Sequence, residues 1–299
     1  MKTYLDCVPC AMRQVLDSVR MISDDEAMHE RVMREALSLW HEVDMHDNPP
    51  AMAQKVHRIV RTLSNVADPY LGVKEKYNRL ALELYPDLKQ TVAGSIDPFE
   101  TAARLAIAGN IIDFGVNSTV DESEVERTIA CSLTDPLDTA ALAELKEAVG
   151  QAKSILYLGD NAGEIVFDRL LVEQMPLEKI TFAVRGGPIL NDALMADAEA
   201  AGLTDLVEVI DNGTDAPGTI LEACSQAFRR RFDKADLIIA KGQGNYETLS
   251  DCPANIFFLL RPKCAVLARH LNCELGRLIL MRSDGGAAAP AHAKKRTVA

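Results

Sequence analysis

The sequence predicts an α/β protein: a mostly parallel sheet with helices on both faces, preceded by an all-helical domain. Three observations carry that expectation. Residues from about 9 to 95 place apolar side chains at helical spacing and contain no stretch that alternates with period two. From Ser154 onward, short β-branched runs alternate with helical segments. That order yields right-handed crossovers and a sheet buried on both sides. Four of the runs each end in a loop rich in Gly, Asp and Asn. In an open parallel sheet such loops gather at the carboxyl ends of the strands, where these folds bind ligands.

The first helix is expected over Cys10–Val19, with Met12, Val15, Leu16 and Val19 on one face. Ser23 with Glu26 three residues later has the form of a capping box. The helix it opens runs through Val32, Ala36 and Leu39 to about Trp40. Asn48-Pro49-Pro50 punctuates, and Met52–Leu63 follows with Val56, Ile59, Val60 and Leu63 aligned. After Asp68-Pro69-Tyr70 a helix is expected from Gly72 to Leu84, with a stop at Pro86. Asp97-Pro98-Phe99 opens a second region, in which Phe99–Ala108 is a small-residue helix ending at Gly109-Asn110. Residues 121–150 hold one or two helices. The strands are expected at Ile155–Leu158, Ile180–Val184, Leu206–Ile210, Leu237–Ala240, Ile256–Leu259 and Ala265–Ala268. Helices Ile165–Gln174, Asp192–Ala201 and Thr219–Arg230 lie between the first four. The expected division is a helical domain over 1–95, an αβα domain over 96–282 and a disordered tail over 283–299, where Gly, Ala and Pro dominate.

Composition narrows the function classes. A net charge of −12 and the lack of a long basic run in the folded part argue against nucleic acid. The one basic cluster, Lys294-Lys295-Arg296, sits in the tail. No apolar stretch reaches membrane-spanning length, and Asn255–Leu260 is far too short. The opening MKTYLDCVPC is not followed by the apolar core of a secretory signal. Seven cysteines in such a chain indicate reduced thiols and a cytoplasmic setting. The P-loop pattern, the dinucleotide-binding glycine pattern and the serpentine G-x-S-x-G elbow of serine hydrolases are all missing.

The chemistry-bearing residues are in the loops. Asp160 and Asn161 sit just past one strand, and Asp192 follows the next. Three oxygen side chains from adjacent loops suit a hard divalent cation such as Mg²⁺ or Mn²⁺. The same residues also serve as helix caps and turn formers, so both readings stand. Gly186 and Gly187, and Asn212 with Gly213, allow backbone N–H groups to face an anion or simply permit tight turns. Lys241 ends a buried strand beside Gly242, where it can reach a phosphoryl oxygen or lie on a solvated rim. Cys7-Val8-Pro9-Cys10 is half of a thiolate metal site that Cys264 or Cys273 could complete, or a pair of buried thiols. His57 is expected to pack rather than bind.

Together these motifs resemble the ARMT-like family of metal-dependent damage-control phosphatases, long catalogued as a domain of unknown function. The likeness rests on Asp160-Asn161-Ala162-Gly163-Glu164, Arg185-Gly186-Gly187-Pro188 with Asn191-Asp192, Asp211-Asn212-Gly213 and Lys241-Gly242-Gln243-Gly244-Asn245. Upstream, His57-Arg58-Ile59, Asp68-Pro69-Tyr70 and the stretch from Ala108 to Gly115 also match. Cys7-x-x-Cys10 is similar to the prokaryotic branch. The resemblance implies a helical domain on a Rossmann-like αβα domain. It implies Asp160, Asn161 and Asp192 as metal ligands, Lys241 as a phosphate contact, and Asn110 and Asp113 in the same cleft. The implied activity is hydrolysis of small phosphate monoesters, sugar phosphates or damaged metabolites, with Mg²⁺, Mn²⁺, Co²⁺ or Ni²⁺, and Asp160, Asp192 and Lys241 in catalysis. An S-adenosylmethionine-dependent methyltransferase and a noncatalytic phosphometabolite binder are the alternatives. The Asp-rich first loop, and Arg185 where an acidic residue would hold a ribose, speak against the first of these.

Overall fold

The computed structural model describes residues 1–41, 43–110 and 122–283. The helical part comprises α1 (Cys7–Ile22), α2 (Glu26–Leu39), α3 (Pro49–Ser64), α4 (Leu71–Gly94), α5 (Pro98–Ala108), α6 (Glu122–Thr134) and α7 (Thr139–Gln151). Then come β1 (Ile155–Leu158), α8 (Glu164–Val172), β2 (Ile180–Val184), α9 (Met195–Ala200) and β3 (Glu208–Asp211). The chain continues with α10 (Gln226–Lys234), β4 (Leu237–Lys241), α11 (Gly242–Leu249), β5 (Ile256–Leu260), α12 (Ala265–His270) and β6 (Ile279–Arg282).

The sheet has the order β3-β2-β1-β4-β5-β6. Its first five strands are parallel, and β6 pairs antiparallel with β5. The winding reverses between β1 and β4, so a crevice opens beyond their carboxyl ends. Side-chain alternation divides the strands between two cores. Ile155, Tyr157, Phe182, Ile239 and Phe257 face one side, under α4, α5 and α8. Leu156, Leu158, Ala183, Ile238 and Phe258 face the other, against α10, α11 and α12. Both faces are dry, which is why these strands read as continuous apolar runs.

Helices α1–α3 close a separate small core around Val15, Val19, Val32, Ala36, Val56 and Val60. Helix α4 belongs with the sheet instead: its Tyr77, Ala81, Leu88 and Val92 are part of the larger core. The apolar boundary thus falls between α3 and α4, ahead of the expected break near residue 95.

Several expected boundaries shift. Pro86 does not stop its helix: α4 runs through it to Gly94. An interior proline costs about 3 kcal/mol, and the buried residues on both sides of it outweigh that cost. Asp25 rather than Ser23 caps α2, accepting from Ala27 N. Ala265–Ala268 is helix, because Cys264 caps its start and Val266, Leu267 and Ala268 bury one short face. A four-residue apolar run does not by itself separate strand from helix. The sixth strand is Ile279–Arg282. Helix α9 starts at Met195, so Asp192 lies in the loop before it. Ser225 caps α10, which begins later than Thr219. The tail from residue 284 and the basic cluster in it lie outside the described residues. Among those described, no helix is long and apolar enough to cross a membrane.

Candidate active site

The loops after β1 and β2 are zipped together by their backbones. Ala193 N donates to Asp160 O (2.8 Å), and Ala162 N donates to Asn191 O (2.9 Å). Asn161 and Asp192 form an isolated antiparallel bridge. Leu190, in the β2 loop, has φ +45°, a strained value for a branched side chain. This local geometry sets Asp160, Asn161 and Asp192 side by side, all buried.

The two aspartates share one cation of the chain itself. Arg185 Nε donates to Asp192 Oδ2 (2.7 Å), and Arg185 Nη2 donates to Asp160 Oδ1 (3.3 Å). Asn161 Nδ2 donates to Asp160 Oδ2 (2.9 Å) and to Glu164 Oε2 (2.8 Å). Asn110 Nδ2 also donates to Glu164 Oε2, at 3.1 Å. Behind this layer lies Lys241, fully buried. Its ammonium donates to Glu164 Oε1 (2.8 Å), Asp168 Oδ1 (2.5 Å) and the Ala106 carbonyl (2.7 Å). Tyr157 OH donates to Asp168 Oδ1 as well, at 2.9 Å. A lysine has three N–H donors. All three are in use, so this arrangement leaves Lys241 none for a phosphoryl oxygen.

Charge is out of balance here. Asp160, Glu164, Asp168 and Asp192 are four buried carboxylates, whereas Arg185 and Lys241 are two cations. Among the described residues, these four carboxylates outnumber by two the cations that contact them. Burial, with Glu164 and Asp192 adding repulsion, pushes the Asp160 carboxyl far above the usual range. Burial raises Asp192 too, opposed by Arg185. Burial takes Asp168 up to about 7, against the pull of Lys241. Burial works against the Lys241 ammonium, but Asp168 and Glu164 outweigh it and hold the pKa above the ordinary lysine value. A site that must bind protons to stay neutral is one that a divalent ion would neutralise.

The donor set fits a hard metal: two carboxylates, and the amide oxygen of an Asn161 whose nitrogen is already engaged. Among the described residues no three His, Cys, Asp or Glu side chains make a ready metal cage; Asn161 lies outside that count.

Other expected site residues are placed differently. Gly186 N donates to Thr214 O (2.9 Å) and Asn212 Oδ1 (3.0 Å), so it does not face an anion. A Cβ at Gly186 would stand 2.5 Å from Gly213 Cα, which makes it a packing glycine between two loops. Gly187 lies against Asp215 in the same loop pair. Asn212 Oδ1 also accepts from Thr214 N, and its Nδ2 is buried with no partner among the described residues. Gly242 has φ +78°, and a Cβ there would fall 1.9 Å from Asp160 Oδ2. It is the close approach that lets α11 abut the carboxylates. Asp113 lies outside the described residues. His57 is buried beside Tyr70, in a packing position.

A cleft of about 290 Å³ opens over Asp160, Asn161 and Asp192. Gln243 and Glu247 of α11, Pro50 and Met52 of α3, and Cys7 and Cys10 of α1 line its other walls. Cys264 lines it too, whereas Cys273 lines a different surface hollow. Of the two partners weighed for the Cys pair, Cys264 is therefore the neighbour. Burial raises both the Cys7 and Cys10 thiols. The helical roof is tied down by Gln54, Arg58 and Arg61 on Asp215, and by Gly163 N donating to Asn78 Oδ1 (2.7 Å).

Sequence reasoning left out Arg185, Glu164, Asp168, Gln243 and Glu247 as site residues. Two acids four apart on the apolar helix α8, Glu164 and Asp168, were a usable signal, since i and i+4 share a face. Nothing local pointed to Arg185 as the partner of both aspartates.

The strand order and the buried carboxylate centre at its switch point define a doubly wound α/β protein with a roofed acidic cleft. The family model described as the damage-control phosphatase ARMT1-like domain matches residues 3–279. A protein of Methanocaldococcus jannaschii is 38% identical over 289 residues, covering 93% of this chain and 94% of its own length. A damage-control phosphatase of Pyrococcus horikoshii is 37% identical, covering 95% and 99%. The crystal structure of a DUF89 family protein from Pyrococcus horikoshii superposes with a TM-score of 0.86 at 34% identity, over 95% of this chain and 99% of that one. The chain belongs to the damage-control phosphatase ARMT1-like family.

Proposed function

We propose that this protein is a divalent-metal-dependent phosphatase acting on small phosphate monoesters, such as sugar phosphates or damaged phosphometabolites. The observation that carries the reading is the surplus of two negative charges at Asp160, Glu164, Asp168 and Asp192 over Arg185 and Lys241. Membership in a family of phosphatases supports it. Asp160, Asn161 and Asp192 would hold the ion, with Mn²⁺, Co²⁺, Ni²⁺ and Mg²⁺ as the candidates. When bound, such an ion polarises a phosphoryl oxygen and activates water.

The chain's own residues do the rest. Arg185, buried beside the carboxylates, holds Asp160 and Asp192 in place with its guanidinium. Glu164 orients Asn161 and is itself held by Lys241 and Asn110. Lys241 is in this reading a positioning residue. The helices α1 and α3 exclude water and contact the organic half of the substrate. A covalent aspartyl-phosphate is disfavoured, since the pattern of two aspartates separated by one residue is absent from the Asp160 loop. All seven cysteines are free, and we place the protein in the reducing cytoplasm, with no nucleic-acid or membrane partner.

The test is a turnover screen over sugar and cofactor phosphates with each metal, beside Asp160→Ala. Turnover falls about 100-fold or more in the variant, and calorimetric Mn²⁺ binding is lost while the fold persists. Retained turnover in Asp160→Ala refutes the assignment.

A further inference from the structure

We infer that Asn78 of α4 is a positioning residue for the proposed metal centre: with Asp197 it clamps the loops of Asn161 and Asp192 at one spacing. The inference rests on the metal-dependent phosphatase reading. Gly163 N donates to Asn78 Oδ1 (2.7 Å), and Asn78 Nδ2 donates to Asp197 Oδ1 (2.7 Å). The second carboxylate oxygen, Asp197 Oδ2, accepts from Leu194 N (2.8 Å). Three hydrogen bonds in series thus run from the β1 loop to the β2 loop through two side chains. A backbone N–H can only donate, so the Asn78 amide has one orientation, oxygen to Gly163 and nitrogen to Asp197.

The attachment points match. Gly163 lies two residues past Asn161, and Leu194 lies two residues past Asp192. Gly163 is the N-cap of α8 and Leu194 that of α9, so each loop is gripped where it turns into its helix. Arg185 and the Asn161–Asp192 bridge join the same two loops from the ligand side. Gly163 has φ +78°, and a Cβ there would stand 2.9 Å from Tyr77 O. The backbone of α4 therefore touches the β1 loop at the residue before Asn78. Lys74 supports the other end. Its Nζ lies 3.8 Å from Asp197 Oδ2 and 2.5 Å from Asp68 Oδ2, and Asp68 Oδ1 accepts from Tyr70 N (2.9 Å). Asn78, Asp197 and Lys74 are all buried, so water does not replace a lost partner.

Ligands on separate loops bind an ion tightly when their spacing is fixed before the ion arrives. Groups that orient ligands from outside the coordination shell are worth about 10–100-fold in metal affinity.

The experiment exchanges the two partners. Asn78→Asp sets a carboxylate against the Asp197 carboxylate. Asp197→Asn presents one oxygen and one NH₂ to two donors, Asn78 Nδ2 and Leu194 N. In the double exchange the carboxylate at position 78 accepts from Gly163 N and from the amide at position 197, whose oxygen accepts from Leu194 N. The whole series is remade, and one carboxylate stays near Lys74. Calorimetry well below the melting points reads the Mn²⁺ Kd of folded protein. Each single variant weakens Mn²⁺ binding about 10–100-fold. The double exchange brings Kd back to within about threefold of the wild type. Asp197→Asn, which adds no charge, carries the comparison should the like charges of Asn78→Asp prevent folding. Leu88→Ala opens a cavity farther along α4, in the main core, and lowers Tm with Kd unchanged. A wild-type Kd in the single variants overturns the proposal. So does a double exchange that binds no more tightly than they do, or an equal loss of affinity in Leu88→Ala. These outcomes leave the phosphatase reading intact. A wild-type protein that neither binds Mn²⁺ nor hydrolyses phosphate esters with any candidate metal ends that reading and the proposal together.

Discussion

Replacing Lys241 with Met removes the ammonium that joins Glu164, Asp168 and the Ala106 carbonyl. Both carboxylates are at most 1% exposed, so neither can recover its lost partner from water. Breaking a buried ion pair from one side costs about 3–5 kcal/mol. At this chain length a loss of 1 kcal/mol lowers Tm by about 2 °C, so the expected drop is about 6–10 °C. Circular dichroism melts at pH 8 read it directly. The deficit shrinks toward pH 5, because Asp168, already at about 7 with the lysine present, then buries its carboxyl as the neutral acid. Adding Asp168→Asn to Lys241→Met restores part of the loss at pH 8, a coupling between contacting groups. A Tm within 2 °C of the wild type at pH 8 would refute the argument, as would a deficit that does not change with pH.

Gly242→Ala forces a Cβ into Asp160 at a positive φ, with strain of about 1–3 kcal/mol. Its melting point drops and, on the proposed metal reading, its Mn²⁺ binding is lost, while Gly150→Ala, with open space around it, melts at or above the wild type. Wild-type Mn²⁺ affinity in Gly242→Ala would contradict the close packing of α11 on Asp160. Glu247→Gln tests the linkage of a raised carboxyl. From about pH 4.5 to 7 the unfolded chain has lost this proton while the folded one keeps it, so wild-type stability declines over that window and is level above it. A shift of that size corresponds to about 3 kcal/mol. The variant escapes the decline and is the more stable protein at pH 8, with the gap closing by pH 4.5. A gap independent of pH would show Glu247 titrating normally.

Strands β1, β2 and β4 were legible because sheets buried on both faces demand unbroken apolar runs. Strand β6 was not. Ile279-Leu280-Met281-Arg282 is short, with Ile279 half-buried and Arg282 exposed, so its pairing with β5 depends on the rest of the sheet. Asp160, Asn161 and Asp192 could be named from their places after strands, since crossover geometry alone brings such loops together. The direction of Lys241 could not be read the same way. Whether a strand-end lysine points into the crevice or behind it depends on α8, whose Glu164 and Asp168 lie about 75 positions away in the chain. The glycines show the same limit. Gly186 and Gly242 look alike in sequence, yet one spaces two loops and the other admits a helix to a carboxylate. Only their neighbours in space distinguish them.

Strand β6 runs against its five companions, so the described chain departs beside Ile256, where Ser283 N donates to the Ile256 carbonyl at 2.7 Å. That rim is the amino-terminal edge of the parallel strands, about 16 Å of strand away from the rim where the cleft opens. A surface anchor or fluorophore attached at Ser283 therefore leaves substrate entry facing away from the support.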